Sequence, residues 1–396
     1  MRDVLLLQHL AICLDIPPHL LGLAPQHQRA TPVRLDTTTL SRQALFGEEG
    51  DDPVRRRELL ATLAGATTSA VLGPPAAGHA PTRPSLSGLE DLLLHRQHSE
   101  ALAPDPTPST VTAAVNASRG DFSACRYDTL ARALPARIVL AQALGAAGHP
   151  EQAATAVAEL YSTATRLCIK LDEDGLAAVT ADRALTAALG GADALTVAEA
   201  HRMVSSVWRR QGHYARATDV AVTAAQQLTG DRAVDETERL SVQGNLYATA
   251  AYTAAKQGDR HTAHALIAEA EATAGRLGRD ALLRGTVFGP SQVLLHQVSI
   301  SHLIGDAGQA IEHARRIDAA ALPTTERQAR YWIDVARAFD QWDKPDRCYR
   351  ALLAAEQAAP QEVRRDSVRT MAAGLMRHDR TLPGVRRLTQ RVGALA

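Results

Sequence analysis

Residue types that could do chemistry occur throughout this chain, but their spacing completes no familiar site. His261 and His264 stand at i, i+3 on a predicted helix, and His9 and Cys13 at i, i+4 on another. Either pair could share a helix face and offer two ligands to a metal ion, which needs three or four. No further ligand is spaced to complete either set, so both pairs read as surface or groove residues, with no metal expected. Cys13, Cys125, Cys168 and Cys348 lie far apart and form no CxxC pair, the pattern of buried thiols in a reducing, cytoplasmic setting. The carboxylates of Asp172-Glu173-Asp174, and of Asp231 with Asp235-Glu236, precede predicted helices. Acids there complement the helix dipole and cap free N–H groups, a reading preferred to a general acid/base pair. HExxH, a Walker lysine loop, GxSxG and a strand-following GxGxxG are all missing. No catalytic residue and no cofactor are expected; the chain is expected to bind, not to catalyse.

The elements that would position a binding site follow from composition. Of 396 residues, 45% are hydrophobic and only 4% aromatic, with alanine abundant. Such a chain cannot fill a thick core with large side chains, but small-residue helix faces can approach closely. Lysine plus arginine (43) balances aspartate plus glutamate (43), so no whole-chain attraction to nucleic acid or anionic membrane is expected. No apolar run reaches the ~18–20 residues that span a bilayer.

Four times a predicted helix ends in glycine and the next helix carries alanine five residues later: Gly148 and Ala153, Gly212 and Ala217, Gly258 and Ala263, Gly305 and Ala310. The following helices repeat an i, i+4, i+7 apolar stripe: Ala153, Val157, Leu160; Ala217, Ala221, Ala224; Ala263, Ile267, Ala270; Ala310, Ala314, Ile317. Residues Leu240, Gly244, Tyr247, Ala251 and Ala254 form one face of a preceding helix. A hairpin with such stripes buries them only by stacking on its neighbours. An extra helix near Gly175–Leu189 explains the longest spacing. A fifth hairpin, Thr325–Trp342 and Pro345–Ala358, replaces the turn glycine with Trp342-Asp343-Lys344-Pro345. The predicted fold is all-α, an α-solenoid of tetratricopeptide-like helical hairpins over 109–396, with an arginine-rich C-terminal cap.

Stacked hairpins create a concave groove lined by the first helix of each. Candidate groove residues are Arg202, Arg209 and Arg210, then Asn245, Tyr252 and Lys256, then Gln292, Ser299 and His302. Arginine and lysine there suit a carboxylate. The expected partner is a peptide, a small molecule or a protein.

Residues 25–108 have linker composition: an acidic stretch at 47–52, Arg55-Arg56-Arg57 leading an apolar segment Ala61–Leu72, and Pro-rich breaks. The arginine-led segment has the layout of a twin-arginine export signal but begins after more than fifty residues, so a docked helix or linker is expected. Arginine runs such as 55–57, or the eight arginines between 364 and 391, would give only salt-sensitive, non-specific DNA affinity.

The hairpins resemble tetratricopeptide repeats most closely at Lys256-Gln257-Gly258-Asp259, and several longer phrases occur in order: Cys125-Arg126-Tyr127 with Leu130 and Leu134-Pro135, Lys170-Leu171-Asp172-Glu173-Asp174-Gly175-Leu176-Ala177, Ala181-Asp182-Arg183-Ala184, Phe288-Gly289-Pro290 with His296, Leu322-Pro323-Thr324-Thr325-Glu326-Arg327, and Ala351–Pro360. In the longer phrases the chain, from about 109 to 370, resembles the actinobacterial regulators that join an Xre-type helix-turn-helix to a tetratricopeptide domain. The resemblance implies a transcriptional regulator whose repeat domain senses a partner, and a possible homodimer. Residues 1–24 resemble only the closing helix and exit of the DNA-binding domain. The recognition helix has no counterpart, so no DNA-contacting residue carries over, and DNA is a partner only with a fuller helix-turn-helix. The alternative is a scaffold or adaptor for protein–protein interaction without DNA binding.

Overall fold

Gly148, Gly212, Gly258 and Gly305 have φ of 95°, 83°, 90° and 90°, the left-handed region that ends a helix and that a Cβ disfavours. The predicted turns are therefore where the sequence places them. Three more turns use the same conformation without glycine, at Cys125 (φ 56°), Asp172 (56°) and Asp343 (52°). The structure, a computed structural model, describes residues 46, 84–95, 105–229 and 234–394. All of them belong to one unit, Gln43–Ala396. The expected helix-turn-helix remnant at 1–24 and the arginine-led segment at 55–72 lie outside the described residues.

Fifteen helices are present among the described residues. They are α1 Ser87–His95, α2 Pro108–Ser123, α3 Tyr127–Ala146, α4 Pro150–Lys170, α5 Asp174–Leu189, α6 Ala194–Arg210, α7 Tyr214–Gln227 and α8 Glu236–Gln257. There follow α9 Arg260–Leu277, α10 Pro290–Leu303, α11 Ala307–Arg315, α12 Thr325–Gln341, α13 Pro345–Ala358, α14 Asp366–Gly374 and α15 Val385–Arg391. Asp235, Asp259, Asp306 and Thr324 each cap the helix they precede by accepting a backbone N–H. Asp235 thus does what its position predicts. Asp174 stands in the first turn of α5, where it complements the helix dipole, but the N-cap residue Glu173 makes no side-chain cap.

The apolar stripes are buried as expected, from Ala153 (6% exposed) through Ala217 and Ala263 (both 0%) to Ile317 (1%). From α2 to α13 each helix packs on the next, α9 and α10 included although the two strands come between them in sequence. Helices α2, α4, α6, α8, α10 and α12 also pack on one another in succession, forming an inner layer. Helix α4, expected as the second helix of a hairpin, belongs to this inner layer, because the single extra helix α5 stands between it and α6 and pairs with it, which makes α4 the first helix of its hairpin. Helix α12 then returns to contact α2, and Ala329 of α12 joins the apolar cluster built on α1–α6.

One element departs from the all-α reading. Strands β1 (Ala281–Leu283) and β2 (Thr286–Phe288) pair antiparallel, with Ala281 opposite Phe288. The ribbon is anchored where β2 meets α8: a Cβ placed on Gly244 would fall 1.9 Å from Phe288 Cζ. Glycine is required there because the ring sits where a side chain would begin. Among the described residues no helix is long and apolar enough to cross a membrane.

Candidate functional site

The inner layer carries polar and charged side chains where the outer stripes carry alanine and valine. Its first part gathers around the tip of the β-ribbon. Arg284 (φ 49°) sits at that tip and inserts its guanidinium among Asp193, Thr196 Oγ1 (2.7 Å), Glu238 (3.4 Å) and Glu159 (3.5 Å). Arg166 of α4 donates to the Gly285 carbonyl at 2.9 Å, and Arg119 of α2 pairs with Glu159 at 2.8 Å. Burial lifts Glu159 above the usual carboxylate range in spite of Arg119 and Arg284. A cavity of about 20 Å³ opens here between Arg119, Glu159, Ser162, Arg166, Glu199 and Arg284, enough for about one water.

The second part centres on Asp334 of α12, whose side chain is 3% exposed. It accepts from Arg330 at 2.7 Å, Arg337 at 2.9 Å and Ser299 Oγ at 2.6 Å. Burial pushes its pKa up, but Arg330 and Arg337 overcome that and hold it at about 2. Tyr252 of α8 lies between two guanidinium groups, Arg209 at 5.0 Å and Arg330 at 5.8 Å from the ring centroid, a cation–π arrangement. His296 of α10 is held neutral, far below its ordinary pKa, by burial and by Arg330 and Arg327.

The third part joins the ends of the inner layer. Lys170 at the last turn of α4 reaches Glu326 of α12 at 2.5 Å and Glu362 at 2.8 Å. Tyr127 Oη donates to the other oxygen of Glu362. Glu362 is completely buried and Glu326 is 4% exposed, so charge compensation is obligatory. Burial raises the pKa of Glu326, but Lys170 and Arg327 drive it far below the ordinary value.

The structure brings together four of the expected groove residues: Arg202, Arg209, Tyr252 and Ser299. Arg202 pairs with Glu199 at 2.5 Å, and Ser299 accepts from Arg330 at 3.3 Å. His302 lies at the edge of the same region, in hydrogen-bond contact with Gln341 at 3.1 Å. Arg210 is placed elsewhere. One position beyond Arg209, it turns away and binds Asp172 (2.9 Å) and Asp174 at the α4–α5 turn. Asn245 is buried and donates to the Ser241 carbonyl, Gln292 is buried, and Lys256 is exposed at the end of α8. Residue-by-residue reading passed over Arg119, Arg166, Arg284, Arg327, Arg330 and Asp334. A signal for the last two existed: Glu326, Arg330, Asp334 and Arg337 follow i, i+4, i+8 and i+11 along one helix face.

His261 and His264 are both exposed on α9. Among the described residues no cluster of His, Cys, Asp or Glu could hold a metal ion. Burial pushes the thiols of Cys125 and Cys168 up to about 12, and that of Cys348 higher, so all three stay protonated and unreactive. Fold and inner layer together define an all-α helical-repeat protein. Compared with known family models and with curated proteins, the chain matches none.

Proposed function

We propose that this chain is a ligand-binding helical-repeat protein, not an enzyme, whose inner layer receives its partner and passes the bound state to a gene-control function of the kind its resemblance implies. The observation that carries the reading is the convergence of Arg202, Arg209, Tyr252, Ser299, Arg330 and Asp334 from four helices onto one inner surface. Apolar residues of similar volume would stabilise a purely structural interior as well or better. Aromatic and arginine side chains in a concave, partly desolvated setting are the usual energetic anchors of recognition.

Native mass spectrometry of the full chain against mixed peptides and small metabolites tests this. A ligand retained by the wild type and lost by Tyr252→Ala supports the reading. Binding that ignores both Tyr252→Ala and Ser299→Ala, or no binding at all, sinks it. Duplex DNA titrated over a salt series separates the regulator from the scaffold: sequence-selective binding supports gene control, and none at low salt supports the scaffold.

A further inference from the structure

We propose that the centre of the inner layer is an oxyanion site, which takes a phosphate- or carboxylate-bearing ligand on Arg166, Arg209 and Arg327, with Arg202 between them. The inference rests on the ligand-binding reading above and names the chemistry of the ligand.

The argument is one of charge pairing. Arg202 lies within electrostatic reach of Arg166, Arg209, Arg327 and His296. The carboxylates nearby are already committed: Glu199 to Arg202, Asp334 to Arg330 and Arg337, and Glu326 to Lys170. Among the described residues neither Arg166 nor Arg209 forms an ion pair with a carboxylate; Glu199 lies within electrostatic reach of Arg166 but is bound by Arg202. Arg166 lies over the Phe122 ring and donates to Gly285 O and Thr163 Oγ1. Arg209 has the Tyr252 ring and, at 3.4 Å, the Thr253 hydroxyl. Arg327 reaches, among the described residues, the far oxygen of Glu326 at 3.5 Å.

Guanidinium groups half-buried among other arginines are normally paired, because a charge withdrawn from water without a counter-ion is costly. Two further observations show polar groups short of partners. Arg166 Nε and His296 Nδ1 are buried and have no hydrogen-bond partner among the described residues. Burial and the neighbouring arginines bring the pKa of Arg166 and of Arg209 down to about 10, outweighing Glu199 at the first and Tyr252 at the second. The site is nevertheless within reach of solvent, since Arg202 and Arg327 keep 16% and 22% of their side-chain surface exposed. Excess positive charge in a low-dielectric recess, presented as planar forks, is how proteins hold phosphate and carboxylate groups.

The test is thermal unfolding and calorimetry of the full chain with inorganic phosphate, pyrophosphate or citrate, against chloride at equal ionic strength. The expected result is a saturable rise in Tm with at least one polyvalent anion and none with chloride. The phosphate and citrate arms distinguish a phosphoryl ligand from a carboxylate one. In Arg209→Gln and Arg327→Gln the anion affinity falls about tenfold or more, while the anion-free protein keeps or gains stability because an uncompensated charge is gone. Loss of stability in both without anion would mark the arginines as structural and overturn the proposal. If either variant fails to fold, phosphorus NMR of pyrophosphate on the wild type decides: broadening reversed by excess citrate supports the site, and none refutes it. A peptide or metabolite that needs Tyr252 but binds while all three anions fail would leave the ligand-binding reading standing and remove only this one.

Discussion

Lys170 and Glu326 stand 156 residues apart in sequence and 2.5 Å apart in space. In a stack whose helices touch only their neighbours such a bond is impossible; here it ties the inner end of α4 to the start of α12. Glu362 and Tyr127 complete the clasp. Removing the lysine strands two buried carboxylates. Lys170→Met is expected to lose about 3–5 kcal/mol in urea unfolding, and adding Glu326→Gln and Glu362→Gln to recover most of it. A loss under 1 kcal/mol would mean that the clasp does not bear on the fold.

Acid should loosen the inner layer through Asp334. Its folded pKa is about 2 against 3.8 for the free side chain. The depressed value means that its stabilising contribution is complete above about pH 4 and fades as pH falls towards 2, a loss of about 2 kcal/mol. Glu326 works in the same direction. Wild-type stability measured at pH 5 and pH 2.5 should therefore fall more than that of Asp334→Asn over the same interval. Equal falls would remove Asp334 from the account.

The β-ribbon depends on a missing side chain. Gly244→Ala places a methyl group 1.9 Å from Phe288 Cζ, so the ring must move and the ribbon with it. Overpacking of this kind costs about 1–3 kcal/mol. Hydrogen exchange should quicken across 281–288 and change little in α13, whereas unchanged exchange in the ribbon would contradict the contact.

Arg210 and Arg209 are neighbours with different work. Arg210→Ala breaks a partly exposed ion pair with Asp172 and Asp174 and should cost no more than about 1 kcal/mol. It should leave ligand binding to the inner layer intact, whereas Arg209→Gln should not. Equal effects on binding would merge the two residues into one surface.

Much of the fold was legible because it rests on local rules. The glycine turns and i, i+4, i+7 stripes depend only on residues a few positions apart, and α5 and the fifth hairpin were readable in the same way. The left-handed turn at Cys125 was not, since no glycine marks it; the acids at 172–174 marked the start of α5 but not the left-handed backbone at Asp172, and the shift of layer that α5 imposes on α4 went unread. The ribbon at 281–288 was hidden because its three-residue strands are too short to show alternation.

The candidate site was half legible. Helical spacing placed Arg202, Arg209, Tyr252 and Ser299 on inner faces, but could not tell that Arg210 would turn to Asp172. Nor could it pair Lys170 with Glu326. Tyr127, Lys170 and Glu326 come from three separate phrases of the family resemblance, and only folding brings them to Glu362.

Closure of the inner layer is measured most directly by hydrogen exchange in Lys170→Met, followed peptide by peptide. Faster exchange is predicted in α4 and, together with it, in α12 and residues 362–364. Quickening confined to α4 and its sequence neighbours, with α12 unchanged, would show an open stack and contradict the account.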